Sequence, residues 1–364
     1  MAKGYQSYRG RRSAGTRALI ALLVLILVAA CGFMFAQRYI AYTDDGGMYL
    51  DTPFGRFDLP APSAPAEPEP DAVEPPPPQE PDVNLVKDPA PEPEEPEEPE
   101  DLYGERHLAA VSSLPADEAA LEAILTGAGA NGFLWQARAP GGQLNYTSAL
   151  APAGSVAAGA RDAASLQALC AGEDVVAAAR FACFHDNVYA FDKANMQPAG
   201  ICQRNGYIWY DNHNGHWLDP EKEQARAYVI SLAVECAQLG FDELVLEEMH
   251  YPKTGRLQKI DYSGSQMAKP DALALFLTEL REALEPYGTR ISLLLSQELL
   301  AAGKDEASGE DLAALLPLVD AVYVATGDIP GTQALLTAIA GEEVPALVPL
   351  TAAPTAGNWC VSAG

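Results

Sequence analysis

WLDPEKEQARAYVISLAVECAQLGFDELVLEEMHYP, residues 217–252, decides the architecture. Its alanine-rich first half reads as a helix over 221–239, and the apolar run after Gly240 and Phe241 reads as a strand over 243–247. Two glutamates, Glu247 and Glu248, close that strand. Successive side chains of a strand face opposite ways, so the pair is expected to diverge. One of them then points at a core that rejects an unpaired charge.

The helix-then-strand unit recurs on both sides. Strands are expected at GFLWQAR (132–138), DVVAAARFACF (174–184), RISLLLS (290–296), DAVYVAT (320–326), VPALVPLT (344–351) and NWCVS (358–362). GSVAAGA (154–160) reads as a weak eighth. Helical patterns fall between them at 117–129, 165–172, 270–286, 310–317 and 332–341. Alternation of this kind implies parallel pairing, and its length suits an α/β fold of the (β/α)8, TIM-barrel-like kind in one domain over residues 105–364. The alternative, a doubly wound open sheet, lacks a G-x-G-x-x-G turn or a Walker-type loop.

Upstream the composition changes. Residues 18–36, ALIALLVLILVAACGFMFA, are 19 apolar or small residues without charge, long enough to cross a membrane as a helix. Five basic residues lie in the 1–17 tail, whereas Asp44 and Asp45 follow the span. That asymmetry predicts a cytoplasmic N-terminus and a single-pass cell-membrane protein whose globular domain is extracellular. VAAC, ending at Cys31, also fits a lipoprotein cleavage box, and a cleaved signal is a third reading. A juxtamembrane segment, 37–60, could lie on the membrane surface or form a small hairpin. Residues 61–104 form a Pro/Glu-rich linker. Residues 61–101 alone hold 14 acids against one Lys, −13 of the chain's net −27, and 14 of its 29 prolines. Such a stretch builds no core and extends as a polyproline-like, self-repelling tether, reaching roughly 100 Å at about 3.1 Å per residue.

No basic stripe offsets this acidity, which excludes nucleic acid as the expected partner. Six cysteines, one of them Cys31, leave an odd outer set without C-x-x-C spacing. Buried free thiols are expected rather than a disulfide framework or zinc cluster.

On these residues the chain resembles the bacterial putative glycosyl hydrolase domain family. WLDP (217–220) matches its W-x-D-P, GFDE (240–243) opens its strand motif, and ARFACFHDN resembles its R-x-x-x-F-x-D. The resemblance implies a barrel similar to glycosidases, acting on a cell-envelope polysaccharide such as peptidoglycan, with no cofactor. The family's strand-end Asp falls on Glu247, its Tyr on Glu248 and its Arg on His250. Gln136 and Arg138 replace its usual Asp and Lys.

Barrel sites lie at the C-terminal ends of strands, and glycoside hydrolysis needs one carboxyl to protonate the leaving oxygen and another to attack or to activate water. Glu247, Asp186 and Glu248 are the catalytic candidates. The structural alternatives are an ion pair of Glu247 with Arg138 or Arg180, and an Asx turn at Asp186. Between them GYIWYDNHNGHWLDP (206–220) offers aromatic faces and polar side chains for a sugar. Substrate contacts are expected from Trp209, Tyr210, Asp211, His213, Trp217, His250, Gln136 and Arg138; the other reading is a loop with its own aromatic core. His213 and His216 raise a metal-dependent deacetylase, but the loop fixes no helical face to aim both rings, so no metal is expected. Asp219 before Pro220 reads as a helix cap. A non-catalytic carbohydrate-binding barrel remains the main alternative function.

Overall fold

The computed structural model of the chain describes residues 104–172 and 175–363, with three short strands between residues 40 and 58. The expected membrane helix at 18–36, Cys31 within it, and all but the last residue of the linker lie outside the described residues. Among the described residues no helix is long and apolar enough to cross a membrane. The chain divides into two units, Met1–Pro93 and Glu94–Gly364. In the first, Ile40–Tyr42, Met48–Thr52 and Gly55–Asp58 pair as a three-stranded antiparallel sheet, extending the small hairpin that was one expectation for 37–60.

The second unit is a closed parallel barrel. Its strands are β1 (His107–Val111), β2 (Gly132–Ala139), β3 (Val176–Ala182), β4 (Glu243–Glu247), β5 (Arg290–Leu295), β6 (Ala321–Ala325), β7 (Ala346–Thr351) and β8 (Trp359–Ser362). Each pairs in parallel with the next. β8 returns to β1, with Cys360 opposite Leu108, and closes the ring. Around it run α1 (Glu118–Ala128), α2 (Ala163–Cys170), α3 (Glu223–Gln238), α4 (Lys269–Leu284), α5 (Gln297–Ala302), α6 (Leu312–Leu315) and α7 (Ile329–Ala340). This is the (β/α)8 architecture.

Alternation along the strands separates two cores. Leu108, Leu134, Ala178, Val245, Tyr323 and Val348 fill the barrel. Their neighbours, such as Phe133, Phe181, Leu244 and Leu246, face the helices with Leu273 and Phe276. Phe276 packs edge-on against Phe184 at 4.8 Å, and its loss to Ala should cost about 3–5 kcal/mol. The barrel floor is polar but satisfied. Buried Glu243 accepts from Arg106 at 2.7 Å, from Ser292 and from the Tyr323 hydroxyl at 3.1 Å. The C-terminal end stays open.

Two expectations are corrected. GSVAAGA does form a strand, Val156–Arg161, but it lies outside the ring, beside Gln143–Tyr146, which hangs antiparallel on β2. The eighth place belongs to HLAAV at 107–111, a run too short to show periodicity and set directly after the linker. Second, α3 starts at Glu223, so Asp219 is not its cap; its carboxylate accepts from Glu221 N at 3.2 Å in the preceding turn. β7 and β8 are joined by the helix-free loop 352–358. Cys170, Cys183, Cys202, Cys236 and Cys360 are free thiols.

Candidate active site

Glu247 continues the inward row of β4 after Glu243 and Val245. On β3 its register partner is Ala182, and Arg180 stands opposite Val245. Arg180 is in turn level with Gln136 of β2. The three inward polar residues therefore meet at the mouth. Arg180 donates to Glu247 Oε2 at 2.5 Å, and the Gln136 amide donates to Oε1. This gives the half of the opening puzzle that concerns Glu247: its charge is tolerated because the neighbouring strand supplies the counter-charge. Of the two ion pairs expected for it, Arg180 is the one formed.

Glu248 breaks the alternation. Its φ is +50°, in the left-handed region that L side chains reach at about 1–2 kcal/mol. A regular strand would send its side chain among the helices. Glu247 and Glu248 both line a cavity of about 320 Å³, shared with His250, Lys253, Ser296 and Glu310. Arg180 and Gln136, which hold Glu247, do not line this cavity, whereas Leu246, Leu293 and Leu295 do.

The environments of the two differ. Burial, reinforced by the charge of Glu247, pushes the Glu248 carboxyl above its ordinary range. His250 lies beside it, Nε2 3.4 Å from Oε2. Burial holds the imidazole pKa down to about 4, so the ring is neutral near pH 7. Its Nδ1 is 2.7 Å from the Tyr251 carbonyl, which only accepts. Nδ1 therefore carries the hydrogen and Nε2 presents a lone pair. A lone pair facing Glu248 favours the protonated acid. Across the cavity Lys253 pairs with Glu310 at 2.7 Å.

Asp186 and Arg138 are elsewhere. Both are fully buried and joined at 2.6 Å. A register shift between Gln136 and Arg138 acts as a bulge, which re-aims the bulged strand's side chains. Arg138 consequently leaves the inward row, lies over the Phe181 and Tyr228 rings, and donates to the carbonyls of Ala182 and Cys183. Asp186 also accepts from Val188 N and Tyr189 N, at 2.8 and 2.6 Å: the Asx turn. Gly142, at φ +82°, presses against it, and a Cβ there would overlap the carboxylate. Neither residue reaches the mouth.

The aromatic loop has a core of its own. Trp209 and Trp217 are buried. Asp211 accepts from His213 N, Gly215 N and Trp217 Nε1 at 2.8, 2.7 and 3.1 Å. Burial works to raise the Asp211 pKa, but these donors outweigh it and hold the carboxyl below its usual range. Trp217 stacks on His185 at 4.7 Å and leans on His250 at 5.3 Å. His213 is exposed, whereas His216 binds the Trp209 carbonyl and stacks on Phe191. Of the expected sugar contacts in this loop, Tyr210, 52% exposed, presents an open ring. Among the described residues no group of three or more His, Cys, Asp or Glu is disposed to hold a metal ion. The sequence reading missed Lys253 and Glu310; Glu310 follows α5, itself unmarked by a clear apolar period.

The chain belongs to the family described as "Putative glycosyl hydrolase domain", whose model matches residues 129–325. Similar solved structures include a hypothetical protein from Ruminiclostridium thermocellum ATCC 27405, at 23% identity over 48% of this chain and 88% of that one, TM-score 0.41. The glycoside hydrolase domain of PgaB (BpsB) from Bordetella bronchiseptica is 13% identical over 70% and 93%, TM-score 0.48. That of PelA from Pseudomonas aeruginosa is 15% identical over 68% and 84%, TM-score 0.40. Comparison with curated proteins gave no match.

Proposed function

We propose that this domain hydrolyses a polysaccharide, with Glu248 as proton donor and Glu247, paired with Arg180, as the partner that attacks the sugar or activates water. The observation that carries the reading is the contrast within one cavity. Glu247 is held by a cation and an amide, while Glu248 is pushed toward its protonated form and faces a lone pair of neutral His250. A carboxyl raised toward its acid form beside a carboxylate held by a cation offers an acid and its partner. Asp186, expected as the partner, drops out because its carboxylate is consumed by Arg138 and two backbone N–H groups. The substrate is a cell-envelope glycan such as peptidoglycan, reached from a single-pass anchor at 18–36 by the Pro/Glu-rich tether. Sugar-end release from purified peptidoglycan and common polysaccharides tests the activity. Wild type should release reducing ends, and Glu248→Gln should be slower by roughly 10²–10⁴. Full activity in Glu248→Gln sinks the assignment. Protease added to intact cells should free the domain from about residue 105 onward; survival until lysis refutes the topology.

One observation favours a second reading, a non-catalytic carbohydrate-binding barrel: both oxygens of Glu247 are already engaged. Glycan binding by wild type without release of ends would establish it. The deacetylase reading has lost its support, since His213 and His216 turn to different surroundings.

A further inference from the structure

Beside the mouth, the loop between β3 and α3 and the loop between β4 and α4 enclose a second cavity of about 220 Å³, lined by Trp209, Tyr210, Asp211, Arg256 and Lys259 among others. Its walls are fastened to each other. Trp209 Nε1 donates to the Arg256 carbonyl at 3.1 Å, Asp261 N donates to the Cys202 carbonyl at 2.9 Å, and Gln203 bridges to Ile260. Gly255, at φ +108°, lies so close to the indole that a Cβ would stand 2.9 Å from the ring of Trp209. The turn that follows therefore rests directly on the aromatic loop.

That turn is a single 3₁₀ turn, Leu257–Lys259, entered from Arg256. Residues three apart eclipse in a 3₁₀ helix, so Arg256 and Lys259 leave it on one side, toward the cavity both line. Among the described residues neither side chain has a hydrogen-bond or ion-pair partner. The carboxylate in the wall, Asp211, gives both oxygens to its own loop. The chain has 50 acidic residues against 23 Lys and Arg, so carboxylate partners are plentiful, yet this pair of cations is left without one. The exposed ring of Tyr210 stands beside them.

We propose that this cavity is a subsite for an acidic sugar. It takes a hexuronate unit, the carboxylate between Arg256 and Lys259 and the pyranose ring against Tyr210. A neutral sugar would not need two unpaired cations, and an amino sugar would be repelled by them. The subsite adjoins the catalytic cavity through Asp211, Trp217, His250 and Glu248, each in contact with the next. The inference rests on the reading of the mouth as a polysaccharide site and names the class of polymer: one carrying carboxylates along its chain.

The test is calorimetric titration of the full chain with oligomers of galacturonate, mannuronate and hyaluronan, each compared with its methyl ester, which keeps the shape and removes the charge. Wild type should bind one acid form roughly tenfold more tightly than its ester, the worth of one charge-assisted contact. Arg256→Gln with Lys259→Gln should erase that ratio while leaving the melting temperature unchanged. Equal affinity for acid and ester across all three, or a ratio that survives in the double variant, overturns the proposal. Binding needs no bond cleavage, so an inert wild type that still prefers the acid form would refute catalysis and leave the subsite standing.

Discussion

Two arginine–carboxylate pairs of the same chemistry sit within two strands of each other, and the account gives them different work. Arg138 and Asp186 are both 0% exposed, whereas Arg180 is 39% and Glu247 9% exposed. Truncating Arg138 to Met leaves a charge stranded without solvent and strips two carbonyls of their donor. Breaking a fully buried pair costs about 3–5 kcal/mol, and each carbonyl left bare adds about 1 kcal/mol or more. The N–H groups of Val188 and Tyr189 still hold Asp186, which trims the total to about 4 kcal/mol. For Arg180→Met, water reaches the partner and screens the loss, so about 1–2 kcal/mol is expected. Urea denaturation followed by tryptophan fluorescence measures both. Adding Asp186→Asn to Arg138→Met should recover part of the loss, because no buried charge remains. Equal costs for the two arginine variants, or less than about 2 kcal/mol for Arg138→Met, would refute the division between a structural pair and a site pair.

Further outcomes follow from the same geometry. Glu248 is raised in the folded state, so the native protein binds the extra proton above the unfolded glutamate pKa. Ionised Glu248 therefore destabilises the fold near pH 7, and Glu248→Gln should unfold at higher urea than wild type there. The gap should close below about pH 4, as both states protonate; a gap independent of pH refutes the raised carboxyl. His250 is depressed to about 4, so the unfolded chain binds more protons between that value and about 6.5. Stability should fall as pH drops through this window, and His250→Phe should flatten the fall; an imidazole NMR resonance titrating above 6 contradicts it. Gly142→Ala combines a left-handed φ with overlap on Asp186 and should lower stability by more than about 2 kcal/mol, seen as a drop in melting temperature; a neutral substitution would show that the Asp186 turn is loosely held.

Much of this was legible in the sequence, for identifiable reasons. The strands β2 to β7 carry apolar runs that alternate with helical segments, so alternation points to a parallel barrel, and NWCVS supplied β8. β1 escaped because five residues beside the linker carry too little pattern. The position of Glu247 at the barrel mouth followed from its place at a strand end. What single-sequence reading cannot see is backbone torsion. The bulge before Arg138 moves its side chain to the opposite face from the one its parity predicts, and a left-handed torsion falls on Glu248. That is why Arg138 was assigned to the mouth; Asp186 was assigned there because it follows the end of a strand. Trp209 and Trp217 misled for another reason: an aromatic-rich loop long enough to wrap on itself buries its largest rings first, leaving Tyr210 outside.

The central claim is that Glu248 delivers the proton to the leaving oxygen. Glu248→Gln should be assayed on the polymer that wild type cleaves and on an aryl glycoside of the same sugar with a dinitrophenolate leaving group, which departs without protonation. The account predicts a fall in kcat/KM of roughly 10²–10⁴ on the polymer and of less than about tenfold on the activated substrate, kcat/KM reporting the step in which the leaving group departs, while Glu247→Gln loses both. If Glu248→Gln loses both substrates equally, or neither, Glu248 is not the proton donor.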